Sequence, residues 1–200
     1  CELIGVPATA IAQALRTFPG LPHRLEEIGR LGGVVNDLLT LKRGRPLRLE
    51  AVQVSQPLDR AAEFVATDAH ARGVSIERAP HAGNEPDVCC EPELIYQVAV
   101  NLIVNAMQAL TAGGRIALRV LPEQSGFAGF EVRDDGPGIP EPLRARIFQP
   151  FVTGRPGGIG LGMTFVKRVV HDHHGRIAVE SAPGAGTCIR VELPLAEGLR

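Results

Sequence analysis

Some residues in this chain have types and spacings suited to chemistry. One group is the run GGIGLGM at residues 157–163. Glycines this dense let backbone come close to a ligand, and here they run into a helical pattern that begins near Leu161. A helix N-terminus presents unpaired N–H groups and the positive end of the helix dipole, which suits an anion such as a phosphate. No P-loop Lys-Ser/Thr follows, and the spacing is not that of a G-x-G-x-x-G dinucleotide turn. A second group is Gln97, Asn101 and Asn105, set at four-residue steps in the apolar stretch ELIYQVAVNLIVNAMQAL. That step puts them on one face of a helix. Amides are costly to bury unpaired, and no Lys or Glu accompanies them between Tyr96 and Leu110. The stripe suits a lining that holds a metal ion or phosphates through side-chain oxygens; the alternative is a polar face turned to water. A third group is VRDDGPGIP at 132–140, where a β-like run delivers Asp134 into a Gly-Pro-Gly turn. A carboxylate there can accept a hydrogen bond from an exocyclic amine. Gly136 and Gly138 would let backbone lie against a flat ring, although Asp-Gly is also common in plain turns.

Elements of definite type must hold these residues. The first 45 residues are helical in pattern, broken by FPGLP at 18–22, and Ile28, Leu31, Val35 and Leu38 form a heptad-like seam. A hairpin of two helices is expected, its stripe covered by a second copy or by the rest of the chain. Leu47, Leu49 and Val52 alternate as a short strand, and Ser55 with Pro57 opens a helix that Gly73 stops. Residues 74–78 and 86–90 read as strands, and Glu91-Pro92 opens a long helix to about Leu110. Residues 115–121 and 129–133 are β-like, and 135–160 form a long irregular loop. A helix follows from Leu161 to His173, stopped by Gly175, and a hairpin of 177–181 with 188–193 closes the chain. Segregated strands and helices argue for an antiparallel or mixed sheet with helices on one face, an α+β two-layer sandwich. The stretch between the two glycine clusters, roughly 20 residues, is long enough to act as a lid.

Composition narrows the function. A net charge of -1, no Trp and 4% aromatics argue against a nucleic-acid partner. No apolar run has the length of a membrane span. Cys1, Cys89, Cys90 and Cys188 form no C-x-x-C pair, so structural cysteines in a reducing, cytoplasmic setting are expected. The chain opens on Cys1 rather than Met, which points to a piece of a longer protein whose sensor or membrane anchor would lie upstream. His70 and His81 read as surface residues, and His171, His173 and His174 as cations complementing a helix C-terminus.

In chain order, NLIVNA, DDGPGI, FQPF and GGIGLG resemble the N, G1, F and G2 boxes of the catalytic ATP-binding domain of sensor histidine kinases, in the superfamily that includes gyrase B, Hsp90 and MutL. The closing HHGRIAVESAPGAGTCIRVELPL is similar to the last hairpin of these kinases. The resemblance implies a Bergerat-type ATP-binding fold over residues 47–197, preceded by a dimerisation and phosphoacceptor hairpin over 1–46. It implies that Asn105 coordinates Mg2+ and that Asn101 lies near the phosphates. It gives Asp134 the adenine amine, with Gly136 and Gly138 beside it, and leaves Asp135 without that role. Gly158, Gly160, Leu161 and Gly162 match the end of the lid that meets the phosphates, and Thr153 and Arg155 match polar and basic lid positions. The lid is similar to that of nitrogen-regulation-type kinases, with Arg155 for a Lys and Ile159 for a Thr.

The same resemblance implies transfer of the γ-phosphate of ATP to a histidine, relay to the aspartate of a response-regulator receiver domain, and homodimerisation through the N-terminal hairpin. The acceptor box departs from the pattern. ELIGVPATAI aligns through Pro7, Thr9, Ala10 and Ile11, which puts Glu2, or with one inserted residue Cys1, where the histidine should stand. His23 lacks the expected Glu-x-x-x-Pro context. The alternative is therefore a degenerate kinase that binds ATP and dimerises as a scaffold. A gyrase-like ATPase would need a glutamate base on the Asn helix, where Gln97 stands in the polar stripe instead.

Overall fold

The computed structural model describes residues 46–80, 85–110, 113–154 and 160–196. The expected N-terminal helical hairpin, with its seam and acceptor position, lies outside the described residues. Seven strands and four helices follow in the order β1 (Glu50–Gln53), α1 (Ser55–Ala71), β2 (Val74–Arg78), β3 (Asp87–Cys90), α2 (Pro92–Ala109), β4 (Gly114–Gln124), β5 (Phe127–Asp134), α3 (Glu141–Arg144), α4 (Gly162–Asp172), β6 (Arg176–Ser181) and β7 (Thr187–Pro194).

Alternation along the strands builds the sheet. Ile116, Leu118 and Val120 of β4 are buried, as are Phe130 and Val132 of β5 and Ile189, Val191 and Leu193 of β7. The period of two puts each set on one face. The five strands run in the order β2-β4-β5-β7-β6. β2 is parallel to β4 and the other neighbours are antiparallel. β1 and β3 form a separate antiparallel pair. α1 packs on α2, and α2 on α4. Their apolar stripes, among them Leu58, Val65, Ile95, Leu102, Phe165 and Val169, join the same core. The result is a mixed α+β two-layer sandwich, as the segregation of elements predicts.

Several local expectations are corrected. The first strand begins at Glu50, not Leu47, and Leu49 is exposed. Ser55 does open α1 as expected, and its N–H donates to Glu85 Oε1 at 2.6 Å, so a distant carboxylate serves the first turn. β4 and β5 are longer than their patterns and meet at Ser125-Gly126, both in the left-handed region at φ 54° and 79°. Pro122 is tolerated in β4 because β2 pairs only with Gly114–Leu118, leaving one neighbour there. The stretch 135–160 is not wholly irregular, since α3 lies in it. α4 ends in a Schellman motif in which His174 takes the left-handed position at φ 55° and Gly175 N–H donates to Val170 O at 2.8 Å. Gly175 is instead pressed against the sheet, where a Cβ would sit 2.5 Å from Glu192 O.

Candidate functional site

α2 is the element that presents the amides. Pro92 starts it, and Ile95, Val98, Leu102 and Ile103 bury its core side. Gln97, Asn101 and Asn105 are partly buried on another face, not turned fully to water. Asn101 Nδ2 donates to Gln97 O at 2.9 Å. That bond fixes the amide so that Oδ1 points outward from the helix, toward the start of α4. A Cβ on Gly162 would stand 2.8 Å from Asn101 Oδ1 and 3.9 Å from Asn105 Nδ2. A side chain at 162 would therefore have to push the Asn101 amide aside. Asn105 Nδ2 also donates to Met163 Sδ at 3.3 Å. Thus the fold brings Asn101, Asn105, Leu161 and Gly162 together. Among the described residues no side-chain cap serves the N-terminus of α4, so its first-turn N–H groups have the arrangement that suits an anion.

The C-terminal end of α2 meets the Asp134 loop. A Cβ on Gly136 would lie 3.7 Å from Ala109 Cβ, 3.4 Å from Leu110 Cδ2 and 2.8 Å from Asp134 Oδ1. Asp134 is 7% exposed, and its Oδ1 accepts the Gly136 N–H at 3.0 Å. At 1.5 Å rise per residue, Asn105 and Asn101 stand about 6 and 12 Å along the axis from Ala109. Asp135 is turned away; its Oδ1 accepts the Arg115 N–H at 2.8 Å. Gly138 has a reason other than closeness to a ring. Its φ is 72°, and a side chain there would drive into Ala182 O, so it packs on the β6–β7 turn.

Backbone joins the chain on either side of residues 152–159. Phe151 N–H donates to Gly160 O at 3.0 Å, and both residues have positive φ. Thr164 Oγ1 donates to Phe148 O at 3.2 Å, and Lys167 Nζ lies 5.6 Å from the Phe148 ring centroid. Thr153 is exposed. Arg155 and Gly158 lie outside the described residues.

Other residues matter that the sequence did not single out. Thr187, 8% exposed, pairs in register with Asp134. Its hydroxyl lies 3.0 Å from Ser181 Oγ. The Gly-Thr after the last turn was the available signal. His173 is 3% exposed, not a cation at a helix end. Its Nδ1–H donates to Val169 O at 2.7 Å and its Nε2 accepts the Glu91 N–H at 3.0 Å. Burial pushes its pKa down, outweighing the Val169 carbonyl and the Glu91 and Asp172 carboxylates. His171 and His174, on either side of it, are exposed. Burial likewise raises the Cys90 thiol to about 12 and raises that of Cys188, in keeping with structural cysteines.

Residues 90–197 match the family described as histidine kinase-, DNA gyrase B- and HSP90-like ATPase, which is more than half of the 200-residue chain. The chain belongs to this family. Its relatives are sensor histidine kinases. The sensory histidine kinase/phosphatase NtrB of Rhodobacter capsulatus is 34% identical over 86% of this chain and 48% of its own length. The sensor histidine kinase ZraS of Escherichia coli K12 is 32% identical over 85% of this chain and 36% of its own. The chain thus spans about half, or less, of the length of these relatives. Among solved structures, the mycobacterial sensor histidine kinase MprB superposes with a TM-score of 0.63 at 30% identity, over 74% of this chain and 97% of that one. Full-length ShkA in complex with AMPPNP gives a TM-score of 0.74 at 29% identity, over 94% of this chain and 39% of that one. For this ATPase family member, no described helix is long and apolar enough to cross a membrane.

Proposed function

We propose that residues 47–197 form the catalytic domain of a sensor histidine kinase that takes Mg-ATP between α2 and the start of α4. The observation that carries this reading is the facing of Asn101 and Asn105 onto Gly162 at the start of α4. The oxygen that Asn101 aims there fits a hard cation such as Mg2+, which takes oxygen ligands. Asn105 would be its main protein ligand through Oδ1, its Nδ2 being held by Met163 Sδ, and Mg2+ when bound would neutralise charge on the phosphates. The first-turn N–H groups of α4 would donate to phosphate oxygens, with Gly158, Gly160 and Gly162 allowing close approach. Asp134 would accept the exocyclic amine of adenine, with Leu110 and Gly136 against the ring. Thr153 and Arg155 would close over the phosphates from the lid.

Such a site offers positioning and charge stabilisation rather than covalent chemistry. The γ-phosphoryl group would pass in line to an imidazole nitrogen. A P–N bond forms as the bond to the ADP oxygen breaks, and the imidazole proton leaves to a base. Relay to a receiver-domain aspartate, homodimerisation through residues 1–46 and a cytoplasmic setting belong to the same proposal. One observation favours a second reading. Cys1 or Glu2 stands where the acceptor histidine is expected, which would make the chain an ATP-binding scaffold.

ATP labelled on its γ-phosphate separates the two. Acid-labile label on the protein with Mg2+ is the expected result for a kinase. Retained nucleotide without label supports the scaffold. Neither label nor retained nucleotide overturns both.

A further inference from the structure

The loop that follows Asp134 has few tethers of its own. Pro137 and Pro140 bring no N–H, Asp135 N–H goes to Arg115 O at 3.2 Å, and Gly136 N–H goes to Asp134. What holds its far half is the β6–β7 hairpin. Ile139 N–H donates to Ser181 Oγ at 2.8 Å. Gly184 N–H donates to Pro137 O at 2.7 Å. Ser181 Oγ in turn donates to Gly186 O at 2.9 Å and lies 3.0 Å from Thr187 Oγ1. Arg144 Nη1 donates to Ser181 O at 2.9 Å, so the end of α3 is fastened to the same residue. One half-buried serine thus touches the loop, the turn, α3 and the strand partner of Asp134.

The hydroxyl carries one hydrogen. With that hydrogen on Gly186 O, the Thr187 hydroxyl must donate to Ser181, leaving its lone pairs as acceptors. With it on Thr187, the Thr187 hydrogen is released as a donor. Ser181 therefore sets both where Ile139 sits and what Thr187 can offer beside Asp134.

We infer that Ser181 is a positioning residue for the nucleotide base, fixing the loop of Gly136 to Ile139 and the polarity of Thr187 around Asp134. The inference rests on Asp134 as the reader of adenine and deepens that reading. It is tested on the full chain with Ser181→Thr and Ser181→Val, two side chains of one shape that differ in the hydroxyl. Calorimetric titration with Mg-ADP and Mg-GDP is the readout. The Thr variant should bind Mg-ADP within about threefold of the parent protein and the Val variant about tenfold or more weaker, since the part-buried Ile139 N–H loses its acceptor. The ADP-over-GDP preference should fall in the Val variant alone, which a general loss of stability would not produce. Equal affinity and equal preference in the two variants overturn the inference. A parent protein that takes up no Mg-ADP overturns the nucleotide reading itself. Should the Val variant fail to fold, hydrogen exchange in the parent protein decides: an Ile139 amide protected well beyond its exposure supports the tether, and fast exchange removes it.

Discussion

Asp134 shows how much one carboxylate is asked to do. Its Oδ1 already accepts the Gly136 N–H, and the proposed base amine needs another acceptor position on the same group. Asp134→Asn keeps the shape but turns one oxygen into a donor. Whichever way the amide lies, an N–H then faces an N–H, which costs about 1–3 kcal/mol. Nucleotide affinity should fall about tenfold to a hundredfold by titration, and retention within about twofold would sink the adenine assignment. The sequence left Asp134 half legible: a carboxylate entering Gly-Pro-Gly also fits a plain turn, and only the family resemblance gave it a base to read. His173 was not legible. Its sequence neighbours suggest a charged helix end, and only the tertiary approach of Glu91 N–H turns it into a neutral acceptor. Thr187 and Ser181 were hidden for a similar reason, because hydroxyls on a closing hairpin are common and their role depends on the strand beside them.

At the scale of elements, the Asn face of α2 was plain from period and composition, and so were the ends of α2 and α4. Shorter features were not. Four residues of α3 carry no period to detect, and its backbone donors are spent on Pro140 and its own turn. The β4–β5 turn needed Ser125 at positive φ, which few sequences announce. The meeting of α2 with the first turn of α4 gives a direct test. In Gly162→Ala, the new methyl stabilises a helix position by roughly 0.5–1 kcal/mol. It also stands where it must displace Asn101 Oδ1. The two effects oppose, so thermal stability should hold or rise while Mg-ADP affinity drops about tenfold. A variant that binds as the parent does would mean that Asn101 Oδ1 is not used.

Over the whole molecule, two buried titratable groups on opposite sides of the core set the response to acid. His173 has its pKa lowered by burial from 6.5. Its contribution to stability is complete above that value and is lost as pH falls from 6.5 toward the folded value, because the unfolded chain binds the proton first. Glu131 lies on the sheet face opposite the described helices, with Arg190 Nε at 3.1 Å and Arg119 Nη2 at 3.0 Å. Burial raises its carboxyl, but the two guanidinium bonds outweigh this and hold it below 4.5. Its share is present above 4.5 and fades as pH drops through the folded value. Melting temperature measured from pH 8 to 3 should therefore decline in two limbs, and His173→Gln should flatten the upper one only. A single limb below 4.5 in the parent protein would remove the account of His173. One further consequence follows from the bond between Phe151 N–H and Gly160 O. It joins the chain at 151 and 160, so residues added between these two points need move neither of them. Closure entropy grows slowly, by about 0.6 kcal/mol for each doubling. Residues inserted between 151 and 160 are therefore expected to cost the domain little stability. Doubling the segment with Gly-Ser residues should lower the melting temperature by only a few degrees, while cutting the stems at 151 and 160 should not be tolerated.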